Sequence, residues 1–190
     1  FLYNTLDTIV WLAEAGQKEQ VVSMVQTLSD FFRASLNSGK DIVSLEGECR
    51  HITSYLQIQQ VRYQDILTYD VDIPEEIANC KIPKITLQPL VENALYHGIK
   101  NKRGKGRIVV TGRREKDKCV IRVEDNGIGM TKERLNQVRG GLTTKIEDSN
   151  DFYGLYNVNE RIRLKFGEEY GLSIDSVLPV SYTHLTLPTN

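Results

Sequence analysis

The sequence predicts an α+β fold in which a helical region, residues 1–65, precedes a region of mixed helices and strands. Two observations carry this prediction. Up to about Gln64, apolar side chains recur every three or four positions, the spacing of helices that bury one face. From Leu67 the spacing changes to strict alternation, which is typical of a half-buried strand, and stretches of both kinds then follow in turn. A chain of 190 residues suffices for one large domain or two small ones.

Three helices are expected in the first region. The first ends near Gly16, and the second runs to about Asn37 with a broad apolar stripe. The third starts after Ser44, a residue type suited to cap a helix, and continues to about Gln64. Helices of this kind bury their stripes against each other or against a partner chain.

The second region alternates strands and helices. A strand covers LTYDVDI and ends at Pro74, and a helix follows Pro83. RIVVTGRRE and KCVIRVEDNG predict two strands joined by a tight turn, whereas GLYNVNERIRLKFG predicts a helix and LSIDSV a short strand. Between them, the polar stretch from Gly127 to Phe152 predicts a mobile loop with one helical turn around residues 132–138.

Composition excludes several classes of function. With 24 basic and 25 acidic residues the formal net charge is −1, so there is no electrostatic case for binding nucleic acid or a membrane surface. No apolar run approaches the length of a membrane span, and neither GxGxxG nor a P-loop motif occurs. The three cysteines are far apart, which favours free thiols in a reducing setting. A zinc site is disfavoured because only three histidines could join them, His51, His97 and His184.

LQPLVENALYHGIK is the first stretch whose residues could bind a ligand or take part in catalysis. Asn93 and His97 are four residues apart on a predicted helix and so share a face, where they could hold a hydrated divalent ion or a phosphate. Alternatively, they are the polar edge of an amphipathic helix with His97 at the surface.

EDNGIGM is the second such stretch, at the end of a predicted strand. The Asp125 carboxylate could accept a hydrogen bond from an exocyclic amine while a planar base lies against Gly127 and Gly129. An ordinary Asp-Asn-Gly turn would explain the same residues.

YGLYNVNERI is the third, where Gly154 lies at the entry of a helix whose free backbone N–H groups could bind an anion. A plain helix start is the alternative.

In this order, the three stretches resemble the ATP-binding domain shared by sensor histidine kinases, gyrase-type topoisomerases, Hsp90 chaperones and mismatch-repair ATPases. ENALYHG corresponds to its N box, DNGIG to its first glycine box and YGLYN to its second. The surrounding FLYNTL, LQPLVENA and GLYNVNERI narrow the resemblance to LytS/YesM-type bacterial sensor histidine kinases, over about residues 1–177. The resemblance implies a helical dimerisation hairpin followed by an α/β sandwich ATP-binding domain of the Bergerat type, at residues 66–177.

The resemblance also implies roles for individual residues. Asp125 would accept the adenine amino group, and the glycines at 127 and 129 would make room for the base and start a lid. Asn93 would help to bind Mg²⁺, while His97 and Lys100 would face the phosphates of ATP. Backbone N–H groups at Gly154 and Leu155 would contact the same phosphates.

In the resembling kinases the phosphorylated histidine immediately precedes the Phe of an HFLYN motif. The expected acceptor therefore lies just upstream of Phe1, and Asn4 would lie one helical turn beyond it and position a water or the phosphoryl group. His51 is mid-helix, with no feature of a nucleophile, and is not expected to replace the acceptor.

Two departures from the family pattern stand out. Residues 178–190 lack the expected glycine turn, so we expect a foreign or out-of-frame tail; a divergent terminal strand is the alternative. Phe152 stands where the second glycine box usually has its first Gly. The contact between this box and the ATP phosphates is therefore in doubt.

The resemblance implies a homodimer that passes the phosphoryl group to an aspartate on a response-regulator receiver domain. The full-length protein would act on the cytoplasmic side of the bacterial membrane, held there only by segments upstream of this soluble chain.

Two alternative functions remain: a gyrase- or Hsp90-type ATP hydrolase, and a module that only binds nucleotide or dimerises. The hydrolases place a water-activating Glu one helical turn before the N-box Asn, where this chain has Pro89; Glu92 would point about 100° away from Asn93.

Overall fold

The computed structural model describes residues 1–36, 41–64, 66–143, 153–177 and 179–189. Its helices and strands agree with the predicted α+β class. In chain order they are α1 (Leu2–Glu14), α2 (Lys18–Leu36), β1 (Ile42–Ser44), α3 (Leu45–Arg62), β2 (Leu67–Asp72), α4 (Glu75–Ala78), β3 (Lys81–Pro83), α5 (Leu87–Asn93), β4 (Gly106–Glu115), β5 (Lys118–Asp125), α6 (Lys132–Gly141), α7 (Tyr153–Phe166), β6 (Gly171–Val177) and β7 (Val180–Pro188).

The three predicted N-terminal helices are present. Helix α2 packs between α1 and α3 and buries Leu28 and Phe31, while α1 buries Leu12. Ser44 caps α3 as predicted, because its side-chain oxygen accepts a hydrogen bond from the Gly47 N–H at 3.1 Å.

A five-stranded mixed sheet, in the order β2-β4-β5-β7-β6, forms the second region. Strands β2 and β4 are parallel, and the other neighbours are antiparallel. One face is apolar and buried, with Val110, Ile121 and Leu185 among its residues. Arg122 and Glu124 alternate with the buried residues of β5 and form an ion pair at 2.9 Å. Since α6, α7 and the residues that follow α5 pack on the sheet, the result is a two-layer sandwich.

Helix α3 joins the two regions. It contacts α2 on one side and α5, β2 and α4 on the other, with Ile52, Tyr55 and Leu56 fully buried. One cluster of buried residues extends from Leu12 to Leu187. The hydrophobic core therefore continues across the domain boundary predicted at residue 65.

Helix α5 continues past Asn93 as a π-helical segment, Ala94–Ile99, in which the Lys100 N–H donates to the Leu95 carbonyl at 2.8 Å. Wider helical winding of this kind is rare and occurs frequently at functional sites. The periodicity of the sequence predicted a helix here but not the change of winding.

The loop predicted between Gly127 and Phe152 contains a longer helix than expected. Helix α6 has ten residues rather than the single turn expected around residues 132–138, and the Thr131 hydroxyl caps it by accepting from the Arg134 N–H at 3.2 Å. Residues 144–152 of the predicted loop, including Phe152, lie outside the described residues.

Residues Val180–Pro188 form β7, which pairs with β5 and β6 in the sheet. Alternate side chains, including Leu185 and Leu187, are buried. This arrangement agrees with the alternative of a divergent terminal strand, while the foreign origin of residues 178–190 stays a prediction. Strong amide protection across 181–187 in hydrogen exchange would count against a foreign tail, and weak protection would favour it.

The expectation of free thiols is wrong for two of the three cysteines. Cys80, just before β3, and Cys119, on the buried face of β5, are joined as a disulfide. The fold brings the start of β3 close to the sheet, which the 39-residue separation in sequence does not reveal. Cys49 is free and buried, and desolvation raises the pKa of its thiol to about 12.

Candidate functional site

A cavity of about 180 Å³ lies between helix α5 with its π-helical continuation and the first turn of α7. Two of the three predicted stretches meet here, although about 60 residues separate them in sequence. The residues that line the cavity are Pro89, Glu92, Asn93, Tyr96, His97, Gly154 and Leu155. Pockets for complete small-molecule ligands usually measure about 300–1,000 Å³, so this cavity has room for only a part of such a ligand.

Asn93 and His97 line the same cavity, as their spacing predicted. Asn93 is half-buried at the last α-helical position, and His97 is exposed within the π-helical segment. Within this cavity, the Asn93 amide oxygen can contact a hydrated cation, and the His97 imidazole can contact an anion. His97 is at the surface, as the alternative of a polar helix edge predicted, and the functional interpretation of this stretch stays a prediction.

Gly154 and Leu155 form the opposite wall, near the start of α7. Gly154 lies close to Pro89, since a Cβ built on it would come 3.6 Å from the proline Cβ. The N–H groups of a helix's first turn have no partners within the helix and are available to an anion.

Helix α7 is held in position by Asn159, which is buried. Its side-chain amide donates to the Leu142 carbonyl at 2.8 Å, and its side-chain oxygen accepts from the Leu172 N–H at 2.8 Å. Asn159 thereby ties α7 to the end of α6 and to the start of β6.

The second stretch packs against the helix that carries the first. Asp125 ends β5 and is buried with 4% of its surface exposed, and its carboxylate accepts from the Gly127 N–H at 2.9 Å. A Cβ at Gly98 would collide with this carboxylate, and a Cβ at Gly127 would collide with the Gly98 backbone. The close approach therefore requires glycine at both positions. Gly129 has φ +68°, a left-handed conformation that favours glycine.

Burial raises the pKa of Asp125 to about 6. The Gly127 hydrogen bond and the charge of Lys102 oppose this shift, and the Glu124 carboxylate adds to it. A buried carboxylate with one oxygen bonded to the backbone keeps the other available to a donor. This chemistry suits recognition of an amino group on a planar base.

Five predicted site residues do not line the cavity: Asp125, Gly127 and Gly129, which pack against the helical segment as described above, and Lys100 and Asn4. Lys100 is exposed, with its ammonium group 5.7 Å from the ring centre of Tyr96, which itself lines the cavity. Asn4 is exposed and lines a separate cavity of about 320 Å³ with Trp11 and Arg62.

Sequence reasoning missed three residues of the site. Tyr96 lines the cavity, and Gly98 allows Asp125 to approach the helix. Glu92 also lines the cavity, where its carboxylate accepts from the Gln88 side chain at 2.9 Å. The expected 100° separation from Asn93 therefore does not remove Glu92 from the site, because the cavity wall spans both positions.

His51 is unsuited to accept a phosphoryl group. It is 2% exposed, its Nε2 lies 3.0 Å from the Ser35 hydroxyl, and its ring centre lies 4.7 Å from that of Phe31. Burial lowers the pKa of its imidazole. His51 lines a larger cavity, about 780 Å³, between α2, α3 and β2, in which none of the described residues predicted for the site takes part.

Comparison with known families decides which group the chain belongs to. Residues 83–186 match the model of the histidine kinase-, DNA gyrase B- and HSP90-like ATPases, and residues 1–67 match the histidine kinase model. The chain belongs to this ATPase family. Its second region is a histidine kinase-type ATPase domain of sensor kinases, as the three motifs predicted.

Sequence relatives of this ATPase domain and its helical region are sensor histidine kinases of the LytS/YesM type. YesM of Bacillus subtilis is 40% identical over 93% of the chain and 29% of its own length. BtsS of Escherichia coli is 35% identical over 98% of the chain, and LytS of Staphylococcus saprophyticus is 32% identical over 99%. The chain spans about a third of the length of these relatives.

Solved structures agree with the fold of the ATPase. The catalytic domain of histidine kinase ThkA matches with a TM-score of 0.58 at 10% identity, over 78% of this chain and 95% of that one. A blue-light activated histidine kinase of Erythrobacter litoralis matches with a TM-score of 0.58 at 13% identity, over 91% and 82%.

Within the described ranges, no helix combines the length and the hydrophobicity that a membrane span requires.

Proposed function

We propose that this chain is the catalytic core of a two-component sensor histidine kinase. It binds Mg-ATP and transfers the γ-phosphoryl group to a histidine, from which the group passes to an aspartate of a response regulator. The observation that carries this proposal is the cavity that unites Asn93 and His97 with Gly154 and Leu155, beside a buried Asp125.

Adenine recognition would fall to Asp125, whose free carboxylate oxygen would accept from the amino group of the base. Gly127 lets the strand end lie close to the π-helical segment at Gly98, and Gly129 adopts a left-handed conformation. The phosphates would lie in the cavity, contacted by His97 and by the N–H groups at 154 and 155, with Lys100 at its exposed rim.

Magnesium would be held by Asn93 together with the phosphate oxygens. The described residues include no cluster of three or more acidic, His or Cys side chains suited to a metal. This fits Mg²⁺, which binds nucleotide sites through few protein ligands and keeps waters. The ion would offset the charge of the phosphates, and the remaining requirement for phosphoryl transfer is mainly positioning.

The acceptor histidine is expected just before Phe1, and the surroundings of Phe1 support this. Its ring centre lies 5.2 Å from that of Tyr55 and 4.9 Å from that of Phe31. Tyr55 in turn lies close enough to Glu92 and Tyr96 for their electrostatic influence to raise the pKa of its hydroxyl further, beyond the main effect of burial. Tyr55 therefore lies near both Phe1 and two residues of the cavity wall, Glu92 and Tyr96.

Dimerisation would use the outer faces of α1 and α2. Several large apolar side chains are exposed there, including Tyr3 at 83%, Trp11 at 57% and Val25 at 49%. Exposed apolar side chains at helical spacing, such as Tyr3, Leu6 and Val10 of α1, are typical of an interaction surface. The full-length homodimer would act at the cytoplasmic side of the bacterial membrane, with the response-regulator receiver domain as its partner.

Titration calorimetry with Mg-ATP on this chain, Asp125→Asn and Glu124→Gln tests the nucleotide site. Glu124 is a matched control, because it is adjacent, half-exposed and paired with Arg122. We expect the parent chain and the control to bind and Asp125→Asn to lose at least about tenfold in affinity. Equal binding by all three chains would show that Asp125 does not recognise the base, and no binding by a folded parent chain would contradict the proposal.

Phosphoryl transfer is tested by adding His before Phe1 and incubating with labelled ATP. Acid-labile label on the added residue is expected, and label on His51 would overturn its exclusion.

An ATP hydrolase is the second candidate, favoured by the presence of Glu92 in the cavity wall. Steady ATP turnover without phosphoprotein, lost in Glu92→Gln, would support it. Nucleotide binding with neither turnover nor phosphoprotein, even after His is added, would indicate a binding or dimerisation module.

A further inference from the structure

Glu48 makes an unusual contact between the helical region and the ATPase domain. This residue of α3 is 2% exposed, and its carboxylate accepts three backbone hydrogen bonds. The donors are the N–H groups of Ile85 at 2.7 Å, Thr86 at 2.9 Å and Leu87 at 3.1 Å, nearly 40 residues away in sequence. These are the unpaired donors at the start of α5, the helix that carries Asn93.

Local residues do not cap this helix. Thr86 stands at the N-cap position, but its hydroxyl donates to the Pro83 carbonyl at 2.6 Å instead. Ile85 has φ +56°, a left-handed conformation that a β-branched residue rarely adopts. Contacts from elsewhere must hold this conformation, and the bond from the Ile85 N–H to Glu48 is one of them.

Arg161 supplies the second contact. It lies on α7, and its guanidinium group donates to the Ile85 carbonyl at 2.9 Å and to the Thr86 hydroxyl at 3.2 Å. The positive charge of Arg161 favours the ionised form of Glu48, whose pKa burial raises. One short segment, residues 85–87, is thus held by α3 from one side and by α7 from the other.

Both walls of the cavity depend on this arrangement. The segment 85–87 leads directly into the helix that carries Asn93 and His97, and Arg161 lies two helical turns after Gly154 on α7. A shift of α3 would therefore move the start of α5. Because Arg161 holds the same segment, the shift would also change the distance between α5 and α7.

We propose that Glu48 and Arg161 are positioning residues for phosphoryl transfer, which set the separation of the two cavity walls and transmit the position of α3 to them. This inference rests on the proposed function. The inference concerns binding of the phosphates and not of the base. Asp125, the proposed base-binding residue, contacts neither Glu48 nor Arg161, and it packs against Gly98, at the other end of the helical segment that starts at Leu87.

The ratio of ATP to adenosine affinity tests the inference. Glu48→Gln, Arg161→Gln and the control Glu46→Gln are compared with the parent chain by calorimetry in the presence of Mg²⁺. Glu46 is on the same helix but exposed, where it pairs with Arg50. The two ligands report on the same folded molecules, so their ratio is independent of any loss of folded protein.

We expect Glu48→Gln and Arg161→Gln to bind adenosine as the parent does but to lose about ten- to hundredfold in ATP affinity. The double variant should lose less than the sum of the two single losses, because both residues act on one segment. Arg161 is exposed, so its variant keeps the test decisive if Glu48→Gln does not fold.

An unchanged ratio in both single variants, while the parent binds ATP and Asp125→Asn does not, would overturn this inference and leave the proposed function intact. Failure of the folded parent chain to bind ATP would instead contradict the proposed function itself.

Discussion

Replacing Asp125 by Asn should stabilise the nucleotide-free protein while it weakens ATP binding. The carboxylate is buried, and its pKa of about 6 lies well above the ordinary value of 3.8. Asn has the same shape, and its side-chain oxygen can still accept from the Gly127 N–H. Removal of the charge therefore removes a desolvation cost and preserves the hydrogen bond.

The magnitude follows from the shift in pKa. A shift of about 2 units corresponds to about 3 kcal/mol of unfolding free energy above pH 6, where the buried group is ionised. Because the folded-state pKa exceeds the unfolded one, stability from Asp125 is present below about pH 4 and is lost as the pH rises through 6. Burial of the new amide group offsets part of this gain in unfolding free energy. We therefore expect Asp125→Asn to be more stable by about 1–3 kcal/mol at pH 7.5.

Urea denaturation followed by circular dichroism measures this difference at pH 7.5 and at pH 4.5, with Glu124→Gln as the control. The gain from Asp125→Asn should shrink at pH 4.5, where the parent carboxyl is largely protonated. The control should change by less than about 1 kcal/mol at either pH, since its side chain is 37% exposed. A destabilised Asp125→Asn chain, or a gain that does not vary with pH, would refute the assigned burial of this charge.

Three further predictions concern the same site. Adenosine affinity, measured by calorimetry, should fall as the pH drops below about 6, because protonation of Asp125 removes the ionised acceptor; an affinity independent of pH would contradict this role. Gly98→Ala should weaken Mg-ATP binding at least about tenfold, because the new Cβ collides with the Asp125 carboxylate, whereas Gly140→Ala, with nothing within 4 Å, should not. Asn159→Ala should cost about 2–4 kcal/mol of unfolding free energy in urea titrations, because two buried backbone groups lose their partners; the exposed Asn157→Ala should cost less than about 1 kcal/mol, and equal costs would refute the anchoring role.

Helices and strands were predictable where one periodic face dominates. The first two helices, Ser44 as a cap, and strands β2, β4 and β5 follow from apolar spacing, because a buried stripe requires it. The length of α6 was underestimated, since few apolar residues mark it. The π-helical winding of 94–99 leaves no periodic signal of its own.

The candidate site was predictable as three motifs but not as an arrangement. Asn93, Asp125 and Gly154 stand out because their residue types suit nucleotide chemistry, and the order of the motifs indicates the family. The roles of Glu92 and Tyr96 in the cavity wall, and the separate position of Asn4, required the folded chain.

By itself, the sequence determined the fold class, the ATPase family and the residue types at the nucleotide motifs, because periodicity and motif chemistry are local properties. Tertiary structure alone decided that Gly98 admits the Asp125 carboxylate, that Cys80 meets Cys119, and that Glu48 caps a helix nearly 40 residues away. These contacts depend on how distant segments approach one another in the packed core, and no spacing along the chain records that approach.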